Sequence, residues 1–134
     1  MASQIQELKY EGYLCADPEM KYLETGVAVT NFRIGSTYQW KDKGGETHKV
    51  TTWLKVAAFG ALGEIVNSIC AKGSWVIVTG RLRPDSETGN PGVFQKQSGE
   101  AGATYDVIAD KVRILKGKDF EKSSSQDDYG DLPY

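Results

Sequence analysis

The ten residues VTTWLKVAAF at positions 50–59 sort into two sets by alternation. As a strand, they place Thr52, Leu54, Val56 and Ala58 on one face, half of a plausible core. The other face carries Thr51, Trp53, Lys55, Ala57 and Phe59. Two aromatics around a lysine make an unfavourable solvent surface unless something covers it. Unpaired nucleobases fit that surface: their flat faces stack on aromatic rings for about 1–3 kcal/mol each, and their phosphates lie within reach of a cation. A second reading stays open, in which Trp53 and Phe59 pack beneath a loop or a subunit.

Two further segments bear on the same chemistry. In VAVTNFRIGSTYQW, Phe32 and Ile34 turn inward while Arg33 turns outward with Asn31 on its face. The segment ends at Trp40, at the root of a loop carrying Lys41 and Lys43. Trp40 either stacks on a strand threading past that loop or anchors the hairpin. In SWVIVTGRLR, Val76, Val78 and Leu82 form the inner face and Trp75, Ile77, Thr79 and Arg81 the outer one. That outer face has no base until its far end, so Trp75, Ile77 and Thr79 read as a self-association surface.

Catalysis finds little support. The single histidine, His48, precedes the third strand in a loop and reads as solvated. No HExxH, no His/Cys metal spacing and no phosphate-cradling GxxxxGK[ST] occurs. Gly60-Ala61-Leu62-Gly63 lacks the lysine and hydroxyl of a nucleotide loop. Cys15 and Cys70 have no CxxC spacing and read as buried reduced thiols. No catalytic residue, metal or cofactor is expected.

These side chains need a scaffold of strands. Period-two segments rich in β-branched and aromatic residues fall near 4–15, 27–38, 49–59, 74–83 and 103–115, with Gly, Pro or Asp between them. One stretch, ALGEIVNSICAKG, breaks the pattern. Its Leu62, Ile65, Val66, Ile69 and Cys70 form a helical stripe, and Lys72-Gly73 supplies a stop. The order β-β-β-α-β-β predicts an all-β domain over 1–115: a five-stranded OB-fold barrel with one helix between strands three and four. The stretch PDSETGNPGVFQKQSGEAG reads as a long loop between the last two strands.

Charge divides the chain unevenly. Residues 1–115 carry 13 Lys/Arg and 13 Asp/Glu, which argues against a duplex-coating electrostatic binder and makes any nucleic-acid site a local stripe. Residues 116–134 carry 3 Lys and 5 acids, which accounts for the net charge of −2. Their polar composition predicts a short linker, 116–126, and an acidic tip, 127–134, in a disordered tail. No run reaches the roughly 18 apolar residues of a membrane span, and MASQIQELKY has no signal-peptide pattern, so a cytoplasmic location is expected.

Taken together, the segments resemble the bacterial-type single-stranded DNA-binding proteins over roughly 5–115 and the final eight residues. The resemblance rests on Gly12, on ADPEMKYLETGVAVTNFRI, and on TTWLKVAAFGALGEIVNSICAKGSWVIVTGRLR, in that order and spacing. It implies an OB-fold, commonly a homotetramer with a dimer as the alternative, that wraps single-stranded DNA without regard to sequence. Trp40, Trp53 and Phe59 match base-stacking positions, Lys55 and Arg83 match basic ones, and Trp75 and Ile77 match the contact between dimers. The chain departs from the pattern after the fourth strand, where Pro84-Asp85-Ser86-Glu87 replaces a stacking tryptophan with basic neighbours; Phe94 and Lys96 are the candidates to compensate.

The ending DDYGDLPY resembles the family's acidic tip. A partner can hold the terminal carboxylate on a cation and bury Leu132, Pro133 and Tyr134, with Asp127, Asp128 and Asp131 steering the approach. Replication and repair proteins are the partners this implies. An RNA-binding OB-fold and an OB-fold scaffold that binds no nucleic acid are the competing readings.

Overall fold

A computed structural model describes residues 3–117; of the side chains within that span, those of Phe94 and Gln95 lie outside the description. The chain runs β1 (Leu8–Leu14), β2 (Glu19–Tyr22), β3 (Ala28–Lys41), β4 (Thr47–Phe59), α1 (Gly60–Ile69), β5 (Trp75–Leu82), β6 (Gly92–Gln95) and β7 (Ala101–Lys116). Five of these strands close into a barrel in the order β1-β5-β7-β4-β3, with β3 returning to β1. The expected OB-fold barrel with a helix between its third and fourth strands is therefore present. β1 makes the closure by bending across two neighbours, pairing Leu8–Tyr13 with β5 and Tyr13 and Leu14 with Gly35 and Ile34 of β3.

Alternation generates the core. Phe32 and Ile34 of β3, Leu54, Val56 and Ala58 of β4, and Val76 and Val78 of β5 all point inward and are buried, joined by Val107 and Ala109 of β7. α1 closes the barrel with Val66, while Cys70 just beyond it joins the same core. Two contacts seat this helix. The Thr30 hydroxyl donates to the Gly63 carbonyl at 2.6 Å, and Gly63 lies so close to the Ala58 carbonyl that a side chain would collide.

Three expectations are corrected. The buried arc of α1 centres on Gly63 and Val66, so Ile65 and Ile69 of the expected stripe are exposed. The close approach of Gly63 sets the helix's rotation, which the apolar spacing did not register. Leu82, expected inside, is exposed: it ends β5, two residues past Gly80, the last buried residue of that strand. The expected long loop is partly ordered, because β6 pairs antiparallel with the first residues of β7. The short β2, also unforeseen, adds to the free edge of β3. Among the described residues, no helix is long and apolar enough to cross a membrane.

Candidate nucleic-acid interface

The β3–β4 ladder is regular over thirteen residue pairs, from Val29–Phe59 to Lys41–Thr47, without a bulge. Alternation therefore carries unbroken along it and assigns each side chain to a face. The outer face shows Trp53 opposite Gly35, Lys55 opposite Arg33, Ala57 opposite Asn31 and Phe59 opposite Val29. Trp53 is 47% exposed and Phe59 36%, so neither is sealed inside the chain's own core. Six residues separate them along β4, about 20 Å of strand.

Two adjoining clefts run along this face and share Lys55. One, of about 400 Å³, is lined by Arg33, Trp53, Lys55, Ala103 and Thr104. In it the Arg33 guanidinium carbon lies 5.9 Å from the Trp53 ring centroid, a cation–π distance. The other, of about 370 Å³, is bounded by Lys21 and Glu19 of β2, Asn31 of β3, Lys55 of β4, Asp106 of β7, and Arg83 just beyond β5. Arg83 is set there by its backbone, whose amide donates to the Asp106 carbonyl at 2.7 Å. Three cations face two carboxylates in this cleft, so its local charge is only mildly positive. Charge alone would hold a polyanion weakly here, and the aromatic ends have to contribute.

Trp40 stands apart from Trp53. Its position in the ladder puts it on the opposite face of the ribbon, continuous with the barrel's inner face. There its ring runs nearly parallel to Tyr38 at 5.9 Å and to His48 at 5.3 Å, and it remains 42% exposed. Lys41 falls on the Trp53 face and Lys43 in the turn, both exposed.

Asp42 locks that turn. Its Oδ1 accepts the Gly44 and Glu46 amides at 2.9 and 3.0 Å, and its Oδ2 lies 2.8 Å from His48 Nε2. An ionised carboxylate can only accept, so Nε2 carries the proton. The His48 hydrogen bond, followed by the Glu46 amide, holds the Asp42 carboxyl below the usual aspartate range. His48, expected to be solvated, keeps much of its side chain exposed and pairs with Asp42. Asp42, Glu46 and His48 bring ligand atoms within 4.8 Å of one another, but both Asp42 oxygens are already engaged in closing the turn.

On the far side of the barrel, Trp75, Ile77 and Thr79 form a half-buried row on β5. Tyr13 of β1 stacks on Trp75 with centroids 5.8 Å apart, and Trp75 Nε1 donates to Glu11 at 2.6 Å. Phe94 lies opposite Gly102 in the β6–β7 ladder, and Lys96 is exposed in the turn that follows. The same ladder sets β6 beside Ala103 and Thr104, next to the Trp53 cleft. Asp127, Asp128, Asp131, Leu132, Pro133 and Tyr134 lie outside the described residues.

Sequence reasoning missed Tyr38, although its alternation with Trp40 was a usable signal. It also missed Lys21, Thr104 and Asp106, which reach the groove only through pairing between distant segments.

The model of the single-strand binding protein family matches residues 6–115. The chain belongs to that family. It is a family of binding proteins, not of enzymes. A single-stranded DNA-binding protein of Xanthomonas axonopodis pv. citri is 37% identical over 118 residues, covering 88% of this chain. The match spans only 62% of that relative's length. Among solved structures, a Plasmodium falciparum SSB in complex with ssDNA superposes with a TM-score of 0.68 at 16% identity, over 87% of this chain and 99% of that one. A small single-stranded DNA-binding protein from Streptomyces coelicolor gives a TM-score of 0.65 at 20% identity, covering 81% of this chain and 92% of the other. At such identities the family's structures speak to the fold alone.

Proposed function

We propose that the chain binds single-stranded DNA without sequence preference, stacking bases on Trp53, Phe59 and Trp40. Arg33, Lys55, Arg83, Lys41 and Lys43 meet the phosphates, and Phe94 and Lys96 extend the contact from the β6–β7 hairpin. The observation that carries this reading is the outer groove, in which Trp53 and Phe59 flank a run of Arg33, Asn31 and Lys55. Paired bases hide their faces, so stacking confers preference for unpaired strands. The names of the relatives, which bind single-stranded DNA, support the same reading.

The half-buried row on β5, backed by Tyr13, is the proposed surface for assembly into a homotetramer, with a dimer as the smaller alternative. Residues 1–115 are the binding domain, 116–126 a linker, and 127–134 a docking tip for replication, recombination and repair proteins in the cytoplasm. In that tip, Asp127, Asp128 and Asp131 guide Leu132, Pro133, Tyr134 and the terminal carboxylate to a basic, apolar pocket.

Titration with dT oligomers tests the reading. Tryptophan emission is quenched on binding, and Trp53→Ala and Trp40→Ala each weaken affinity about tenfold at matched salt. Wild-type affinity in both variants would refute the stacking assignment, and a requirement for rU over dT would redirect it to RNA.

A further inference from the structure

The inner face of the β3–β4 hairpin continues past the mouth of the barrel, where no other strand among the described residues covers it. Tyr38 lies opposite Val50 there, and Trp40 opposite His48. Tyr38 is 67% exposed and Val50 50%. The three rings, Tyr38, Trp40 and His48, follow one another at 5.9 and 5.3 Å with interplanar angles of 25° and 23°. The rings make offset-stacked contacts at these spacings, and with Tyr38 67% and Trp40 42% exposed the row stays open to a further flat ring.

We propose that Tyr38 and His48 are nucleobase-stacking residues, and that with Trp40 they form a second DNA-binding face on the side of the hairpin away from Trp53. This rests on the single-stranded DNA reading above and adds a second track to it. The occupant is argued from three observations. The ring face and the Trp53 groove are the two sides of one ribbon, so a flexible strand leaving one side reaches the other around the hairpin. Lys43 lies in the turn that joins the two sides, while Lys41 and Lys49 fall on the Trp53 side, so the phosphates of a strand rounding the hairpin meet cations along its path. Asp42 anchors the His48 imidazole, so a base meets a ring already held in place and less freedom is lost on binding.

The test compares Tyr38→Ala, Tyr38→Phe, His48→Ala, His48→Phe and Trp53→Ala by dT titration at two salt concentrations, with light scattering on each. Tyr38→Ala and His48→Ala weaken binding about fivefold to tenfold without altering the salt slope, while Tyr38→Phe retains affinity and His48→Phe, without its Asp42 anchor, recovers most of it. Rescue by His48→Phe separates stacking from a merely structural imidazole, because phenylalanine keeps the ring and loses the Asp42 bond. If wild type binds dT and Trp53→Ala weakens it while both Tyr38→Ala and His48→Ala bind normally, the second face is refuted and the parent reading survives. If wild type fails to bind dT, the parent reading fails first. A changed mass in Tyr38→Ala with unchanged dT affinity would assign this face to subunit packing and also overturn the proposal.

Discussion

The Trp53 indole lies across Gly35, its partner on β3. A methyl group built on Gly35 would sit 2.6 Å from Trp53 Cζ3 and 2.9 Å from Cη2. Gly35 is not among the glycines with positive φ, so what it contributes is space. The missing side chain lets the ring settle over the strand with Arg33 at its side.

Gly35→Ala is expected to tip the indole off the strand. The clash falls on the far edge of one exposed ring, so stability should remain within about 1 kcal/mol of wild type. Affinity for dT should fall up to tenfold, part of the roughly 1–3 kcal/mol that a stacked base supplies. Denaturant unfolding and fluorescence titration read the two quantities separately, and unchanged affinity would mean that the ring's seat on Gly35 is irrelevant to binding.

Lys55 borders both clefts, and Trp53 stands beside it. Their substitutions should fail differently. Lys55→Gln removes one phosphate contact and lowers the slope of log affinity against log salt by about 0.7. Trp53→Ala lowers affinity at every salt concentration with the slope preserved. Equal slopes for wild type and Lys55→Gln would take this lysine off the phosphate track.

Asp42 gives the hairpin a pH signature. Its pKa is depressed first by the His48 hydrogen bond and then by the Glu46, Gly44 and Gly45 amides, with desolvation opposing. A depressed carboxyl adds stability above its unfolded pKa and loses it as pH falls through the folded value. The turn should therefore loosen only in acid, below the ordinary aspartate range. Carboxyl NMR should show Asp42 titrating below a free aspartate, and His48→Ala should move that midpoint upward. A midpoint indifferent to His48 would contradict the pairing.

Trp75 is held in place by Tyr13 and Glu11. Trp75→Ala should reduce the assembled mass seen by light scattering. Affinity per protomer for short dT should change little, since Trp75 lies across the barrel from the groove. Wild-type mass would remove the role given to this face.

Thr30 separates fold from function. Its hydroxyl donates to the Gly63 carbonyl inside the protein, away from the groove. Thr30→Val keeps the shape and removes the bond, so unfolding should become easier by about 1–2 kcal/mol with dT affinity intact. Unaltered stability would show that the helix does not depend on this tether.

Alternation was the legible part. Strand period two placed Phe32, Ile34, Leu54, Val56, Val76 and Val78 inside, and Arg33, Trp53, Lys55 and Phe59 outside, because each choice depends only on neighbours along one strand. The order of the five barrel strands and the helix was legible for the same reason, and with it the barrel, while the short β2 and β6 were not. Where position depended on close approach between distant segments, periodicity had nothing to register. Gly63 against Ala58 rotated the helix away from Ile65 and Ile69, and β5 passes the end of the core after Gly80, which leaves Leu82 exposed.

The chain by itself determined which side chains could stack on a base and which could face a core, since both follow from residue type and period. Only the folded barrel decided which of them meet. Lys55 gains Asp106 because β4 and β7 run parallel across a closed sheet, and Arg83 joins them through a backbone bond to the same aspartate. Trp40 is parted from Trp53 because thirteen unbroken pairs keep the two on opposite sides of one ribbon. Composition has no term for either event, because both are set by pairing between segments far apart in the chain.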